Sequence, residues 1–328
     1  MRRRALITLL GGAALAWPLT AHAQQDGRVR RIGILDVSDE VDRVVQTRWG
    51  VTREVLTKLG WVEGRNVRFD VRLSARDPDR RRTHADELVR LASDVIAVAG
   101  GTTAQALLQR TRTIPIVFTS VGDPVAIGLL KNIARPEGNA TGIAGQYQSV
   151  GGKWLEFLKE AAPRTARVAL IFAAENVNEQ YFGVIEAAAK VLGVKAVRTP
   201  YRNAAELERA IDAFAAEPNG GLIMLPPPPF PSNRELINRL ALKHRLPTMY
   251  QSKYYAAEGS MMGYGADGDE AHRIAASYID RILRGTKISE LPVQFPTKFE
   301  LVINLKTAAA IGLTIPESLL FRADEVIK

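Results

Sequence analysis

Cysteine is absent from this 328-residue chain. No disulfide can brace it, so the fold must rest on its apolar cores, and no cysteine is present to carry a lipid anchor. Histidine is scarce: four in all, of which His84, His244 and His272 lie beyond the first 23 residues. None of the three has metal-ligand spacing, and each reads as a surface helix residue. After the first 23 residues no apolar run is long enough to span a bilayer. No G-x-G-x-x-G follows the first strand, which runs into Asp36-Val37-Ser38 instead, and P-loop lysine and G-x-S-x-G patterns are missing as well. Nothing here calls for catalysis, a metal or a cofactor, and none is expected.

What is present begins with a leader. Arg2-Arg3-Arg4 is a positive opening, Ala5 to Leu19 is apolar, and Ala21-His22-Ala23 before Gln24 has the small-x-small form of a cleavage site. The apolar stretch is too short for a membrane helix, so residues 1–23 read as a cleavable export signal, by the Sec or the twin-arginine route. An exported chain with no lipid anchor is retained by a cell that has a periplasm. The formal charge of +9 falls to +6 once the three leader arginines are removed, leaving 41 basic against 35 acidic residues. Most of the excess is arginine scattered along helices, and the run Arg80-Arg81-Arg82 reads as a solvated helix face. Nucleic acid is not expected as a partner.

The chain then states one pattern twice. Arg31-Ile32-Gly33-Ile34-Leu35 returns as Arg167-Val168-Ala169-Leu170-Ile171, and Ile114-Pro115-Ile116-Val117-Phe118 is echoed by Leu246-Pro247-Thr248-Met249-Tyr250. Helical and strand periodicities alternate through both halves, which predicts an α/β protein: two similar Rossmann-like lobes with parallel sheets and a ligand cleft between them. The expected division is 24–143 plus 251–294 for the first lobe and 144–250 plus 295–328 for the second. The three crossings between them are expected near 142–147, 250–254 and 290–298.

Ligands of parallel sheets bind beyond the carboxyl ends of the strands. That rule selects Ser38 after the first strand, Thr102 and Thr103 in Gly100-Gly101-Thr102-Thr103, and Ser120 and Asp123 in Ser120-Val121-Gly122-Asp123-Pro124. In the second half it selects Glu175 and Asn176, Pro226 at the head of a proline run, and Tyr250 in Tyr250-Gln251-Ser252; Tyr264 joins an aromatic group with Tyr254 and Tyr255. The two glycines and two threonines suit a carboxylate or a threonine N-cap. Asp123 before Pro124 suits a helix cap or a ligand ammonium. The tyrosines suit either an apolar ligand side chain or ordinary packing.

Several stretches resemble the TrpX-like group of ABC-transporter substrate-binding proteins. They include Leu59-Gly60-Trp61-Val62-Glu63-Gly64-Arg65-Asn66, Ala134-Arg135-Pro136-Glu137-Gly138-Asn139-Ala140-Thr141-Gly142, Gly152-Lys153-Trp154-Leu155-Glu156 and Pro296-Thr297-Lys298-Phe299-Glu300-Leu301-Val302-Ile303-Asn304. The resemblance implies a type I periplasmic-binding-protein fold with three crossovers, and a monomer that captures a small solute and delivers it to an ABC permease in the inner membrane. An amino acid or related small carboxylate is the expected ligand. Ala173-Ala174-Glu175-Asn176 departs from the Asn-Pro turn of many relatives. Two other uses of the same architecture remain open at this point: an extracytoplasmic sensor or adaptor for a membrane receptor, and an α/β enzyme.

If the leader is cleaved as read, intact-mass spectrometry of the secreted or periplasmic protein should give a chain beginning at Gln24. A soluble cytoplasmic pool that retains Met1 would contradict export.

Overall fold

The computed structural model describes residues 28–145, 148–174, 179–227 and 229–328. The leader with its cleavage site, and the candidate residues Glu175 and Asn176, lie outside them. The first lobe is built from β1 (Arg30–Asp36), α1 (Arg43–Lys58), β2 (Val67–Leu73), α2 (Pro78–Arg90), β3 (Val95–Ala99), α3 (Gly101–Leu108), β4 (Ile116–Val121) and β5 (Ala140–Ala144). Its sheet runs β2-β1-β3-β4-β5, all parallel. The second lobe follows with α4 (Val150–Ala161), β6 (Arg167–Ala173), α5 (Glu179–Leu192), β7 (Lys195–Tyr201), α6 (Ala204–Ala215), β8 (Gly220–Met224), α7 (Pro231–His244), β9 (Thr248–Tyr250), α8 (Lys253–Ala257) and β10 (Met262–Ala266).

Local sequence explains the boundaries. Asp42 starts α1 by accepting the Val44 N–H at 3.1 Å, Val44, Val45, Trp49, Thr52 and Leu56 form its buried face, and Gly60 at φ 97° ends the turn beyond it. Asp77 and Pro78 start α2 in the same manner; of the arginine run, Arg80 and Arg82 are exposed, Arg82 pairing with Asp79, while Arg81 is half-buried. At one point strand pairing requires that a side chain be absent. A Cβ on Gly142 would fall within van der Waals contact of the Phe118 backbone, its carbonyl oxygen only 2.1 Å away, so β5 can lie beside β4 only with glycine there.

The second sheet repeats the order of the first as β7-β6-β8-β9-β10, which puts the strands that open at Arg31 and Arg167 in equivalent places. It is then extended by β11 (Phe299–Asn304) and β12 (Glu325–Ile327), with α10 (Leu305–Ala310) and α11 (Glu317–Leu320) between them. The join of β10 and β11 is antiparallel, an exception to the parallel sheet expected. Within the last connecting segment Gln294 bridges to Ile143 beside the edge of the first sheet.

One expected boundary differs. Residues 251–266, assigned from sequence to the first lobe, supply α8 and β10 to the second sheet, and the chain crosses back only at Asp267. The repeat itself gives the reason. In the first half β4 is followed by β5 in the same sheet before the crossing, so β9 must be followed by β10. After that crossing α9 (Gly268–Leu283) packs on α1 and on β3, β4 and β5, and Ala275, Tyr278 and Ile279 enter the core formed by Ile32, Trp49 and Val117. α4 makes the reciprocal move after β5, carrying Trp154, Leu155 and Leu158 into the core of the second lobe.

This exchange also relocates His272. Read from sequence as a surface residue, it is only 2% exposed, because α9 lays it against α1: Nδ1 is 2.9 Å from Thr52 Oγ1, and the Trp49 ring meets it edge-on at 4.9 Å. Burial, with a smaller contribution from the Arg48 charge, pushes its pKa down to about 3. A histidine whose folded pKa lies below its unfolded value leaves stability intact above pH 6.5 and removes it as pH falls toward 3. The expected loss is about 1.4 kcal/mol per pH unit below 6.5, or about 2 kcal/mol by pH 5. His272→Gln should flatten this part of the profile in urea melts taken from pH 7.5 to 5, and identical slopes for both proteins would contradict the assignment.

Candidate functional site

The crossovers leave from the carboxyl ends of β5 and β10, so the carboxyl edges of both sheets face the hinge and the space between the lobes. At the hinge the first and last connecting segments pair: the Ala144 N–H donates to Gln294 O at 2.8 Å and the Gln294 N–H to Gly142 O at 3.1 Å. Two open grooves elsewhere lie at the opposite, amino ends of the strands. One of about 840 Å³ is lined by Arg112, Arg135 and Lys287, and another of about 350 Å³ by Arg164, Asn219 and Pro247. Neither touches the carboxyl edges.

On the first lobe, β1 runs out into a fixed ribbon. Asp36 is buried and accepts from Trp49 Nε1 at 2.9 Å and from the Ser38 N–H at 3.0 Å. Ser74, Ala75 and Arg76 then donate their N–H groups to Asp36, Ser38 and Val37, with Ala75 and Arg76 held at φ 48° and 59°. Two successive left-handed non-glycine residues are costly, and such strain concentrates at binding sites. Ser38 is half-buried within this ribbon.

The threonine N-cap does not form. Gly100, at φ 88°, is the N-cap of α3, which leaves Thr102 exposed and turns Thr103 inward as the helix's third residue. The Thr103 hydroxyl is fully buried, 2.5 Å from Ala99 O and 2.6 Å from Gly100 O, so it is spent on the backbone. Asp123 takes the capping role: Oδ1 accepts the Val125 and Ala126 N–H groups at 2.9 and 3.0 Å. Ser120 is exposed at φ 55°, where β4 shifts register against β5. Asp39, which the sequence reading passed over, keeps a buried Oδ1 that no described residue approaches as a donor.

On the second lobe, Pro226 is half-buried after β8, joined to Pro227 by a cis bond. Tyr250 is 1% exposed, with its ring centroid 5.2 Å from that of Tyr255, and burial raises its pKa well above the ordinary phenol value. Its hydroxyl has no hydrogen-bond partner among the described residues. Tyr264 does not join it. The two tyrosines enter different cores on opposite faces of one sheet, and Tyr264 packs with Phe157 and Phe299 on the α4 side, at centroid distances of 4.8 and 6.0 Å. Gln251 follows Tyr250 and was not singled out from sequence. It is 9% exposed, and both its amide nitrogen and its amide oxygen are buried without a partner among the described residues. The rule that selected Tyr250 selects Gln251 equally; what sequence lacks is the burial.

The lobes meet directly above these groups. Val44, in the first turn of α1, packs into the second lobe's core together with Tyr250 and Tyr255. Beside it Arg234 of α7 is buried and makes a bidentate pair with Asp42, both N–O distances being 3.1 Å. Arg76 stacks on the Phe230 ring at 4.2 Å, and Arg48 lies 5.0 Å over Tyr254. Among the described residues no three His, Asp or Glu side chains gather to hold a metal, and no helix is long and apolar enough to cross a membrane.

Two lobes of this topology, joined by three crossings, have counterparts among known proteins. Residues 35–327 match the family described as ABC transporter substrate binding protein. The chain belongs to this family. Its members are substrate-binding proteins of ABC transporters. A tyrosine-binding protein of Clostridioides difficile is 24% identical over 79% of this chain and 75% of that protein. A conserved domain protein from Vibrio cholerae superposes with a TM-score of 0.81 at 26% identity, covering 91% of this chain and all of that one. An ABC domain from Streptococcus pneumoniae, solved in complex with L-Trp, gives 0.80 at 20% identity with the same coverage.

Because Thr103 and Asp123 bond to their own backbone, Thr103→Val and Asp123→Ala should each cost about 1 kcal/mol of stability. Solute affinity should stay within about twofold, a difference of roughly 0.4 kcal/mol. Calorimetric melting and titration of the same samples check this; a large loss of affinity at unchanged melting temperature would return both residues to the ligand.

Proposed function

We propose that this substrate-binding protein is the periplasmic component of an ABC importer, that it captures an amino acid in the cleft between its lobes, and that it passes this solute to a permease in the inner membrane. The observation that carries the reading is the set of buried polar atoms left over at the carboxyl edges: Asp39 Oδ1, Tyr250 Oη and both amide atoms of Gln251. A buried polar atom without a partner costs about 1–3 kcal/mol. Other such atoms occur elsewhere, on His84 and Asn238 among them, but these four lie at or just past the ends of β1 and β9, where a ligand that supplies the complementary groups regains that cost. The set mixes acceptors with donors, which suits a zwitterion: an ammonium for Asp39, a carboxylate for the Gln251 amide N–H and the Tyr250 hydroxyl.

The surroundings suit an aromatic or apolar side chain. Tyr255 flanks Tyr250, and Phe230 stands at the mouth under the Arg76 guanidinium. The C. difficile relative is a tyrosine-binding protein and the S. pneumoniae structure holds L-Trp, which supports the same solute class here. The cleavable leader supports export. Arg76, Phe230, Asp39 and Gln251 are thus added to the residues proposed from sequence, while Thr103, Asp123 and Tyr264 are assigned to the fold.

Denaturing the purified protein and identifying the released small molecules by mass spectrometry tests the class, followed by titration with L-tyrosine and L-tryptophan. Gln251→Leu, nearly isosteric, should weaken binding by about tenfold to a hundredfold, the effect of losing one or two buried bonds to a charged group, while raising the melting temperature of the ligand-free protein, because two unpartnered buried atoms are removed. Capture of sugars or other uncharged solutes alone would overturn the amino-acid reading.

A further inference from the structure

We infer that Asp42 and Arg234 form a releasable latch that holds the two lobes together even without a solute, so that closure does not depend on ligand contacts alone. The inference goes beyond the proposed solute and rests only on the two-lobed architecture.

The pair joins the lobes across 192 residues of sequence. Both guanidinium NH groups reach the carboxylate, with Nη1 to Oδ2 and Nη2 to Oδ1 at 3.1 Å each, and the side chains are 3% and 10% exposed. A bidentate, desolvated arginine–carboxylate pair is geometrically demanding and little screened by salt. The remaining donors of Arg234 stay within its own lobe: Nε to Glu258 Oε2 at 2.7 Å, Nη2 to Glu258 Oε1 at 3.0 Å, and Nη1 to Pro229 O at 2.9 Å. Asp42 likewise keeps a bond at home, accepting the Val44 N–H. When the lobes part, the bidentate contact breaks, yet Arg234 retains a carboxylate and Asp42 retains its capping bond while water takes the rest.

That division distinguishes a latch from a permanent weld. Stripping a buried ion of every partner is prohibitive. Here neither ion is stripped, so the contact can open and reform. Its neighbours open with it: Val44 leaves the second lobe's core and Arg76 leaves Phe230. Closed protein that pre-exists binding raises apparent affinity in proportion to its population.

Asp42→Asn is the informative variant, because asparagine caps a helix as well as aspartate does while removing the charge. The chain has no cysteine of its own, so Lys58→Cys and Glu208→Cys place one spin label on an exposed helix position of each lobe. Electron–electron distance measurements on ligand-free protein, stripped by unfolding and refolding, should show a compact population in the parent and its loss in the Asp42→Asn variant. Release of the co-purified solute, identified by mass spectrometry, should be roughly tenfold faster in that variant, as expected when the closed population falls tenfold. Glu258→Gln keeps the cross-lobe pair and loosens only the contact within the second lobe, so it should lower melting temperature and leave the compact distance in place. A ligand-free distance distribution that Asp42→Asn does not change would overturn the latch, as would equal opening by Glu258→Gln. Neither outcome bears on the solute class, which is tested by titration.

Discussion

A parallel sheet has two faces to bury, and in this protein each lobe borrows part of its cover from the other half of the chain. The exchange of α4 and α9 is the constraint on which the rest depends. Trp154, Leu155 and Leu158 are wholly buried against strands that follow them in sequence, while Ala275, Tyr278 and Ile279 return to strands more than 100 residues earlier. Each large apolar side chain so placed contributes roughly 1.5–3 kcal/mol, so neither lobe is complete without the crossing segments. The crossings therefore cannot be lost, and they emerge where the strands end. That fixes the hinge at the carboxyl edges and places the cleft beside it.

Within that frame, polar groups sort by what satisfies them. Asp36 holds Trp49 and the Ser38 N–H, Thr103 bonds back to the strand it follows, Asp123 caps its own turn, and Asp267 caps α9. Asp267 also shows how the hinge tolerates buried charge. Burial alone would raise its pKa, but the Lys298 contact, the Glu270 N–H and the Lys253 charge together hold it below the ordinary carboxylate value. Tyr250, Gln251 and Asp39 are the contrast, since the folded chain supplies them with no such partners among the described residues. The difference between a structural and a ligand-directed polar group is thus one of bonds left over, which residue type does not reveal.

This is also why the sequence was legible in parts. Strand order, the equivalence of Arg31 and Arg167, and the cleft follow from a repeated pattern of apolar runs, which burial enforces locally. The late crossing at Asp267 is implied by that repeat, but the clear sequence echo of the first half ends at Tyr250, which puts the expected boundary too early. Thr103 and Asp123 occupy the right loops, but α3 starts two residues earlier than a cap at Thr102 requires, and Asp123 is occupied by the N–H groups of its own turn. Tyr264 and Tyr250 read as one cluster because the alternation that sends them to opposite faces depends on strand ends that sequence marks poorly. The Asp42–Arg234 pair left no trace at all, since nothing local relates a helix cap to an arginine on another lobe.

Closure in a two-lobed binder has to be favourable enough to trap a solute and weak enough to reverse. Apolar contact alone makes a poor compromise, because it is non-directional and Val44 could settle in several registers against Tyr250 and Tyr255. A bidentate pair accepts one geometry, so it specifies which closed arrangement forms, while the desolvation of both ions offsets most of their attraction. Orientation is thereby separated from strength. Leftover polar atoms at the strand ends then decide how far the equilibrium moves, because a ligand shifts a population only by its differential contacts with the two states. In this division the lobes' own side chains define the closed shape and hold a share of the protein in it, and the solute's contacts add to how long it lasts.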